Sequence, residues 1–539
     1  MFAKLPHDIV ILVLASLSAY ELAALAQTCR FLHCLVRIKW LSSYLELIPA
    51  SKVTEYGWSS YHRSHPRPSL SLSRARASWS PRFRVKYDAL NDAAWSTNTF
   101  VARPLSDPWP TKNSPLLAIS TNRLVVASRN HIHSYKFESC GENSTPAVSF
   151  EGSFSLLGGH EPSGDITSIT LATTSGHDDT FFIGFQDGLI ECIILGPSSG
   201  DTSQKQLRIT RLDAGTSPNT HDFSESLSST SHFLLSLSLN GSARLADHRD
   251  LTATKSNRTN PTPTLAWYSS IELKTRSWAS HLCLSSSMPY AAFGTSNPYA
   301  PLPVYHLPDL SFPNSGAPSV LLTAGKSTSS SSFASELSPA VTAGMVPDSI
   351  SSAGSAPLHI YPSSAVYGLS QAPPCSPWGS SPQILVGGWY DSKVRCYDLR
   401  LPTSLVSYPA TFIPTFVNGP LTTRSIPSLS PVLSLYNPWS YEPIYSISCG
   451  GGSGSHIAAG SARHSVLSFW DVRNPSGGWS VHAPGNDPSP VYSVILESSR
   501  CFGATERRPF VYDFVSTVCA CLGCACLGYR LVANLRLLY

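Results

Sequence analysis

Two stretches decide the fold: QILVGGWYDSKVRCYDLR, from Gln383 to Arg400, and HIAAGSARHSVLSFWDVR, from His456 to Arg473. Each reads as a strand of small and branched residues, a polar turn, and a second strand ending in an aromatic residue followed by Asp. Each is preceded by another strand, SAVYGLS and PIYSISC. The same cadence recurs in RLVVASRNHIHSYKF ending at Phe137, TFFIGFQDGLIECIIL ending at Leu195, and HFLLSLSLNGSARLAD ending at Asp247. It recurs again in YAAFGTSNPYAPLPVYHL ending at Leu307 and RCFGATERRPFVYDF around Asp513. That makes seven copies, and a fixed internal cadence of this kind is the signature of a repeat architecture.

The cadence, ending in Trp-Asp or Tyr-Asp, resembles the WD-repeat family. The resemblance implies blades of four antiparallel strands arranged around a central channel. Gly159-His160, ahead of DITSITL, matches the Gly-His pair that opens a repeat in that family, although no other copy retains it. A ring must close, or its last sheet keeps a bare edge. The last copy stops at its third strand, so a strand within Asn98 to Leu105 (NTFVARPL) is expected to supply the fourth. Ser311 to Ser364 is rich in Ser, Pro, Gly and Ala and is expected to be a disordered insertion. The tail, residues 516–539, carries VCACLGCACLGY, shows no strand cadence, and is expected to lie outside the fold.

The first forty residues have a different period. In LPHDIVILVLASLSAYELAALAQTCRFLHCLVRIKWL, starting at Leu5, apolar residues recur at helical spacing: Ile9, Val13, Leu17, then Leu22, Leu25, Cys29 and Leu32. Pro6 and Asp8 suit a first helical turn. Ser18 with Glu21 has capping-box spacing, which starts a second helix. A unit this small cannot bury all its apolar residues and reads as a docking element. Its Leu-Pro opening, its T-C-R-x-L and its closing Lys-Trp resemble the F-box, which in that family binds the Skp adaptor of cullin-RING ubiquitin ligases. The resemblance assigns adaptor docking to Leu5, Pro6, Ile9, Val10, Leu14, Leu17, Leu22, Leu25 and Leu32, with Arg30 polar at the edge.

The fold class expected is thus α+β and multidomain: a small N-terminal helical F-box followed by an all-β, seven-bladed WD-repeat propeller. The domains are 1–48 for the F-box, 49–97 for a basic Ser/Arg-rich linker, either helical or flexible, and 98–515 for the propeller. The order of parts, with RSWASHLCLS, VGGWYDSKVRCYDLR and SPVYSVILESSRCFGA as anchors, is similar to the dactylin branch of F-box/WD-repeat proteins. The implied function is the substrate-recognition subunit of a Skp-cullin-F-box ubiquitin ligase. Its partners would be the Skp-type adaptor, cullin and RING subunits through it, and a protein substrate. The alternative is a propeller scaffold without ubiquitin transfer.

Composition bounds the remaining classes. A net charge of +4 over 539 residues is too small an imbalance for the field that nucleic-acid binders use, so no nucleic-acid partner is expected. No apolar run reaches the roughly 18–20 residues that span a bilayer. Nine of the 13 cysteines are scattered from Cys29 to Cys501 without regular spacing, as expected of reduced thiols in the cytoplasm or nucleus.

Motifs for chemistry are weak. AGKST at Ala324 to Thr328 lacks the first Gly of a phosphate loop, and CGGGSGSH at Cys449 to His456 reads as a hairpin loop. No nucleophile elbow or acid-base pair stands out, so no enzyme and no cofactor is expected. His131 and His133 read as a strand surface in preference to a metal site, and the C-terminal Cys-x-x-Cys lacks its second pair. The Asp-x-Arg endings at Asp247, Asp398 and Asp471 read as strand ends. Arg395 and His160 read as structural residues near a blade rim, and no substrate-contacting residue is assigned.

Overall fold

The computed structural model describes residues 67, 69–138, 141, 144–156, 164–172, 179–196, 208–213, 223–249, 265–325, 364–408, 424–485, 487–515 and 529–532, with six positions between 24 and 33. The described strands form seven antiparallel-based sheets. Blade 1 spans Ala147–Ser155 as its outer strand and Leu116–Ile119 as its first. Blades 2 and 3 begin at Ile166–Leu171 and Ser224–Thr230, and blades 4 and 5 at Ser277–Cys283 and Val366–Gln371. Blades 6 and 7 begin at Ile444–Gly451 and Val491–Leu496. Each first strand touches the first strands of both neighbours, and blade 7 touches blade 1, so the ring is closed. This is a seven-bladed all-β propeller, and every copy of the sequence cadence is the second and third strand of one blade.

Burial explains why those two strands carry the signal. The second strands Thr180–Phe185, Tyr290–Thr295, Ile384–Trp389, His456–Ser461 and Arg500–Thr505 are buried at every position. They lie between neighbouring blades and so read as continuous apolar or small runs, as strands covered on both faces do. The core is divided among the seams between blades. One cluster joins Val125 and Ile132 of blade 1 to Phe181 and Ile193 of blade 2, and another joins Tyr290 and Val304 of blade 4 to Leu385 and Tyr397 of blade 5.

Closure follows the expected route. Thr99–Pro104 pairs antiparallel with Pro509–Asp513, Val101 opposite Asp513 and Pro104 opposite Phe510, and becomes the fourth strand of blade 7. Two expectations are corrected. The tail contributes Tyr529–Val532, which pairs with Thr99–Ala102 as a fifth strand, because Thr99–Pro104 otherwise offers its free edge to any nearby segment. The Ser311 to Ser364 insertion starts later than expected: Val320–Leu322 is buried and forms the fourth strand of blade 4. Residues 326–363 lie outside the described residues.

Blade 4 also borrows from blade 5. Between the third strand Lys393–Asp398 and outer strand Leu433–Tyr436 of blade 5 lies a hairpin, Ser404–Tyr408 and Arg424–Leu429. Its second strand runs parallel to Val320–Leu322, Leu322 opposite Leu429, so blade 4 has six strands.

The linker is helical in its described part. Helix α1 is Ser73–Ser78 and helix α2 is Pro81–Ser96. Ser80 caps α2 by accepting from Phe83 N, and Pro81 fills the first turn, where no donor is needed. No described helix is long and apolar enough to cross a membrane.

Candidate functional site: the two ends of the channel

The first strands run from one end of the channel to the other, and the ends differ in chemistry. At the starting end, six of the seven strands break register at the same place. The residue passed over is Thr167 in blade 2, Glu225 in blade 3, Trp278 in blade 4, Tyr367 in blade 5, Tyr445 in blade 6 and Tyr492 in blade 7. The residue before each, from Ile166 and Ser224 to Ile444 and Val491, is buried. That buried residue pins the strand, and the bulge turns the following side chain out of the pleat. All six turned residues line one cavity of about 730 Å³, together with Ser114, Asp165, Gln186 and Phe223. This volume lies within the range of about 300–1,000 Å³ typical of ligand sites.

On blades 4 to 7 the turned residues form an aromatic crescent. Trp278 and Tyr367 have ring centroids 4.4 Å apart, Tyr367 and Tyr445 5.3 Å, and Tyr445 and Tyr492 6.4 Å. Tyr390, at the tip of blade 5, extends it outward at 5.9 Å from Tyr367. The connection into blade 6 adds Trp439 and Tyr441, 89% and 88% exposed. Exposed aromatics grouped beside a cavity mark an interaction surface. Burial raises the phenol pKa of Tyr367 and Tyr492, which stay neutral.

The crescent ends at Glu225. Burial pushes its carboxyl up to about 7, and the charge of Arg276 offsets this only in part. Arg276 lies over the Trp278 ring, 5.5 Å from its centroid. Among the other charges at this mouth, Lys112 pairs with Glu506 at 3.4 Å, while Arg129 stands exposed at the tip of blade 1.

The opposite end is sealed at blades 6 and 7. There the turns between first and second strands of blades 6 and 7 receive α2. Trp95 Nε1 donates to Ser498 O at 2.8 Å, and Asn91 Nδ2 donates to Ser498 O at 3.2 Å and to Gly452 O at 3.4 Å. The Tyr87 hydroxyl donates to Ser499 Oγ at 2.6 Å, and Ser71 N donates to Glu497 Oε1 at 3.0 Å. Trp95 stacks on Phe514 at 3.8 Å. The glycine-rich hairpin loop makes room for it: a Cβ at Gly451 would meet the Trp95 ring at 2.7 Å, and Gly452 sits at φ +63. CGGGSGSH is thus a cradle for an indole and not a nucleotide loop.

The residues assigned to adaptor docking fall almost entirely outside the described residues. Of them, Leu25 and Leu32 are described; both positions are helical, Leu25 is half-buried and Leu32 is buried. Arg395 is structural: its guanidinium donates to both oxygens of Asp391, at 2.8 and 2.6 Å, and lies 4.6 Å from the Trp389 centroid. His160 lies outside the described residues. His131 and His133 stack with centroids 6.4 Å apart, His133 also against Trp109, and no group of three or more His, Cys, Asp or Glu among the described residues could hold a metal. Arg249, Arg400 and Arg473 each fold back onto the Asp two residues earlier. Burial raises the thiol pKa of Cys192, Cys375, Cys396, Cys449 and Cys501, which leaves these poor nucleophiles.

The turned residues were missed in the sequence, yet carry a signal there. SWAS, VYGL, IYSI and VYSV each place an aromatic directly after the first buried residue of a first strand. Aligning the first strands with one another, in addition to the louder second and third, exposes the position.

Compared with known proteins, residues 2–45 match a family model described as F-box-like. No curated protein matches the chain. Among solved structures, it is similar to the Chaetomium thermophilum Sqt1 bound to the N-terminus of a ribosomal protein, at 14% identity and TM-score 0.41, over 73% of this chain and 81% of that one. It is also similar to the computationally designed Ika8 protein, at 12% identity and TM-score 0.40, over 76% of this chain and 99% of that one. A chain of the Mitotic Checkpoint Complex gives 14% identity and TM-score 0.41, over 77% of this chain and 90% of that one. An F-box-like domain is therefore followed by a seven-bladed propeller, an architecture that fits an F-box/WD-repeat protein.

Proposed function

We propose that the chain is the substrate-recognition subunit of a Skp-cullin-F-box ubiquitin ligase, most like the dactylin branch of F-box/WD-repeat proteins. The F-box-like segment docks a Skp-type adaptor, and through it the cullin and RING subunits. The propeller holds the protein to be ubiquitinated. The chain is a non-catalytic receptor, and its contribution to the reaction is proximity: two reactants held on one assembly react as if at high local concentration. It works in the cytoplasm, the nucleus or both, a reading supported by the free thiols of the six described cysteines.

The observation that carries this reading is the F-box-like match at residues 2–45 directly ahead of a closed propeller. A second observation supports it. Arg67 pairs with Asp92 of α2, and α2 is fastened to the turns of blades 6 and 7, so the chain leaves the propeller on the sealed face. The aromatic mouth opens at the other end of the same strands. The helical anchor thus sets where the described chain joins the propeller, at the end away from the aromatic mouth.

The test is capture of purified Skp-type adaptor and cullin by the full chain, by a chain without residues 1–45, and by Leu5→Ala with Pro6→Ala. The truncated chain is expected to lose both partners. The double substitution is expected to weaken adaptor binding by about 2 kcal/mol or more, as removal of anchor residues does. Unchanged affinity in a titration would reject the reading, and an unaltered half-life of captured proteins on depletion of the chain would reduce it to a scaffold.

A further inference from the structure

The channel mouth has two halves, and the chemistry at their junction selects a ligand. We infer that the mouth binds an extended protein segment by seating one basic side chain, arginine or lysine, between Glu225 and the crescent of Trp278, Tyr367 and Tyr445. This rests on the receptor reading only in taking the occupant to be a protein.

Three observations meet here. First, Glu225 reaches the channel because its strand bulges, and among the described residues the charge of Arg276 compensates it only in part, with no hydrogen bond to it. A partly desolvated carboxylate that its own chain compensates only in part gains most from a donor that is itself charged. Second, the neighbouring wall offers aromatic rings, whose faces attract cations by their quadrupole, an attraction that strengthens as water is excluded. The protein already uses this wall so: the guanidinium of Arg276 lies 5.5 Å from the Trp278 centroid. Third, the crescent continues outward from Tyr367 to the exposed Tyr390, so the residues flanking the basic one meet apolar surface and the segment lies across the mouth extended. An anionic residue would place its charge beside a carboxylate compensated only in part, which disfavours it.

The experiment uses the full-length chain and four immobilised nonapeptide libraries, randomised except for a central arginine, lysine, glutamine or phosphoserine. The arginine and lysine libraries are expected to be retained about tenfold more than the other two, a difference of about 1.4 kcal/mol. Glu225→Gln removes the charge and keeps the shape, so the variant folds, and Tyr367→Leu removes one ring. Each is expected to bring basic retention to within about twofold of the glutamine library. Equal retention of the glutamine library, preference for phosphoserine, or basic retention that survives both substitutions would overturn the inference. Adaptor capture by the same preparations separates the two readings. Basic preference with no adaptor capture removes the receptor role and leaves this site standing; adaptor capture with no basic preference does the reverse.

Discussion

The two ends of the channel are built on the same first strands and have opposite fates. At the turn end of blades 6 and 7, the carbonyls of Gly452 and Ser498 accept from Asn91 and Trp95 as well as from each other's residue, and the surrounding rings are buried. At the bulged end, about 13 Å away along the strand Tyr492 to Leu496, the rings of four blades face a cavity, and among the described residues the Glu225 carboxyl accepts no hydrogen bond and is offset only in part by Arg276. The difference is in how much of each side chain's bonding capacity the chain itself uses. Where it is used up, the end contributes stability; where it is left over, the end is available for recognition.

The sharpest way to break this contrast is Trp95→Ala. Trp95 is 4% exposed, stacks on Phe514, lies tilted against His456, and belongs to the cluster that includes Phe100, Phe469 and Tyr512. Its loss opens a cavity beneath the blade that closes the ring, with an expected cost of about 3–5 kcal/mol. Urea unfolding should show a midpoint shift of that size, while Tyr367→Leu at the other end, where the ring is half-buried, should stay within about 0.5 kcal/mol of the parent.

Asn91→Ala probes the polar half of the sealed end. Asn91 is fully buried, and its amide donates to Ser498 and Gly452. Removing it takes one donor from each carbonyl, while Ser498 O keeps Gly452 N and Trp95 Nε1 and Gly452 O keeps the Ser498 hydroxyl, so the expected cost is that of lost hydrogen bonds, about 1–1.5 kcal/mol. The same unfolding experiment reads it, and amide exchange at Gly452 and Ser498 should accelerate more than at Tyr367 if the damage is local.

The sequence made the two ends unequally legible. The second and third strands, such as Ile384–Trp389 with Lys393–Asp398, are buried between blades, so selection for small and apolar residues left a strong imprint. The outer strands Ala147–Ser155 and Asn474–His482 are largely exposed and left little. Val320–Leu322 was lost inside Ser- and Pro-rich sequence because three residues are too few for a period to register. The hairpin Ser404–Tyr408 with Arg424–Leu429 was illegible for another reason: its partner, blade 4, is remote in sequence, and parallel pairing has no turn to announce it. Closure by Thr99–Pro104 was legible because a ring with an open edge is unstable, an argument from topology and not from residues. The mouth was not, because a bulge is one unpaired residue and shows only when the first strands are set side by side.

The smallest expected effect tests the mouth from the side of stability. Burial raises the Glu225 carboxyl to about 7, so the folded protein holds this proton at pH values where the unfolded chain has released it. Stability must then fall as pH rises from the ordinary carboxylate range, near 4.5, through about 7, and level off above, because ionisation in the folded state costs more than in water. Glutamine has no proton to lose. Glu225→Gln should therefore match the parent near pH 4.5 and be more stable at pH 8, by about 1 kcal/mol once solvent screening at the half-open mouth is allowed for. Thermal unfolding at the two pH values reads the difference. A variant less stable than the parent at pH 8 would mean that the carboxylate is already satisfied from within the chain, and the two ends of the channel would then be alike.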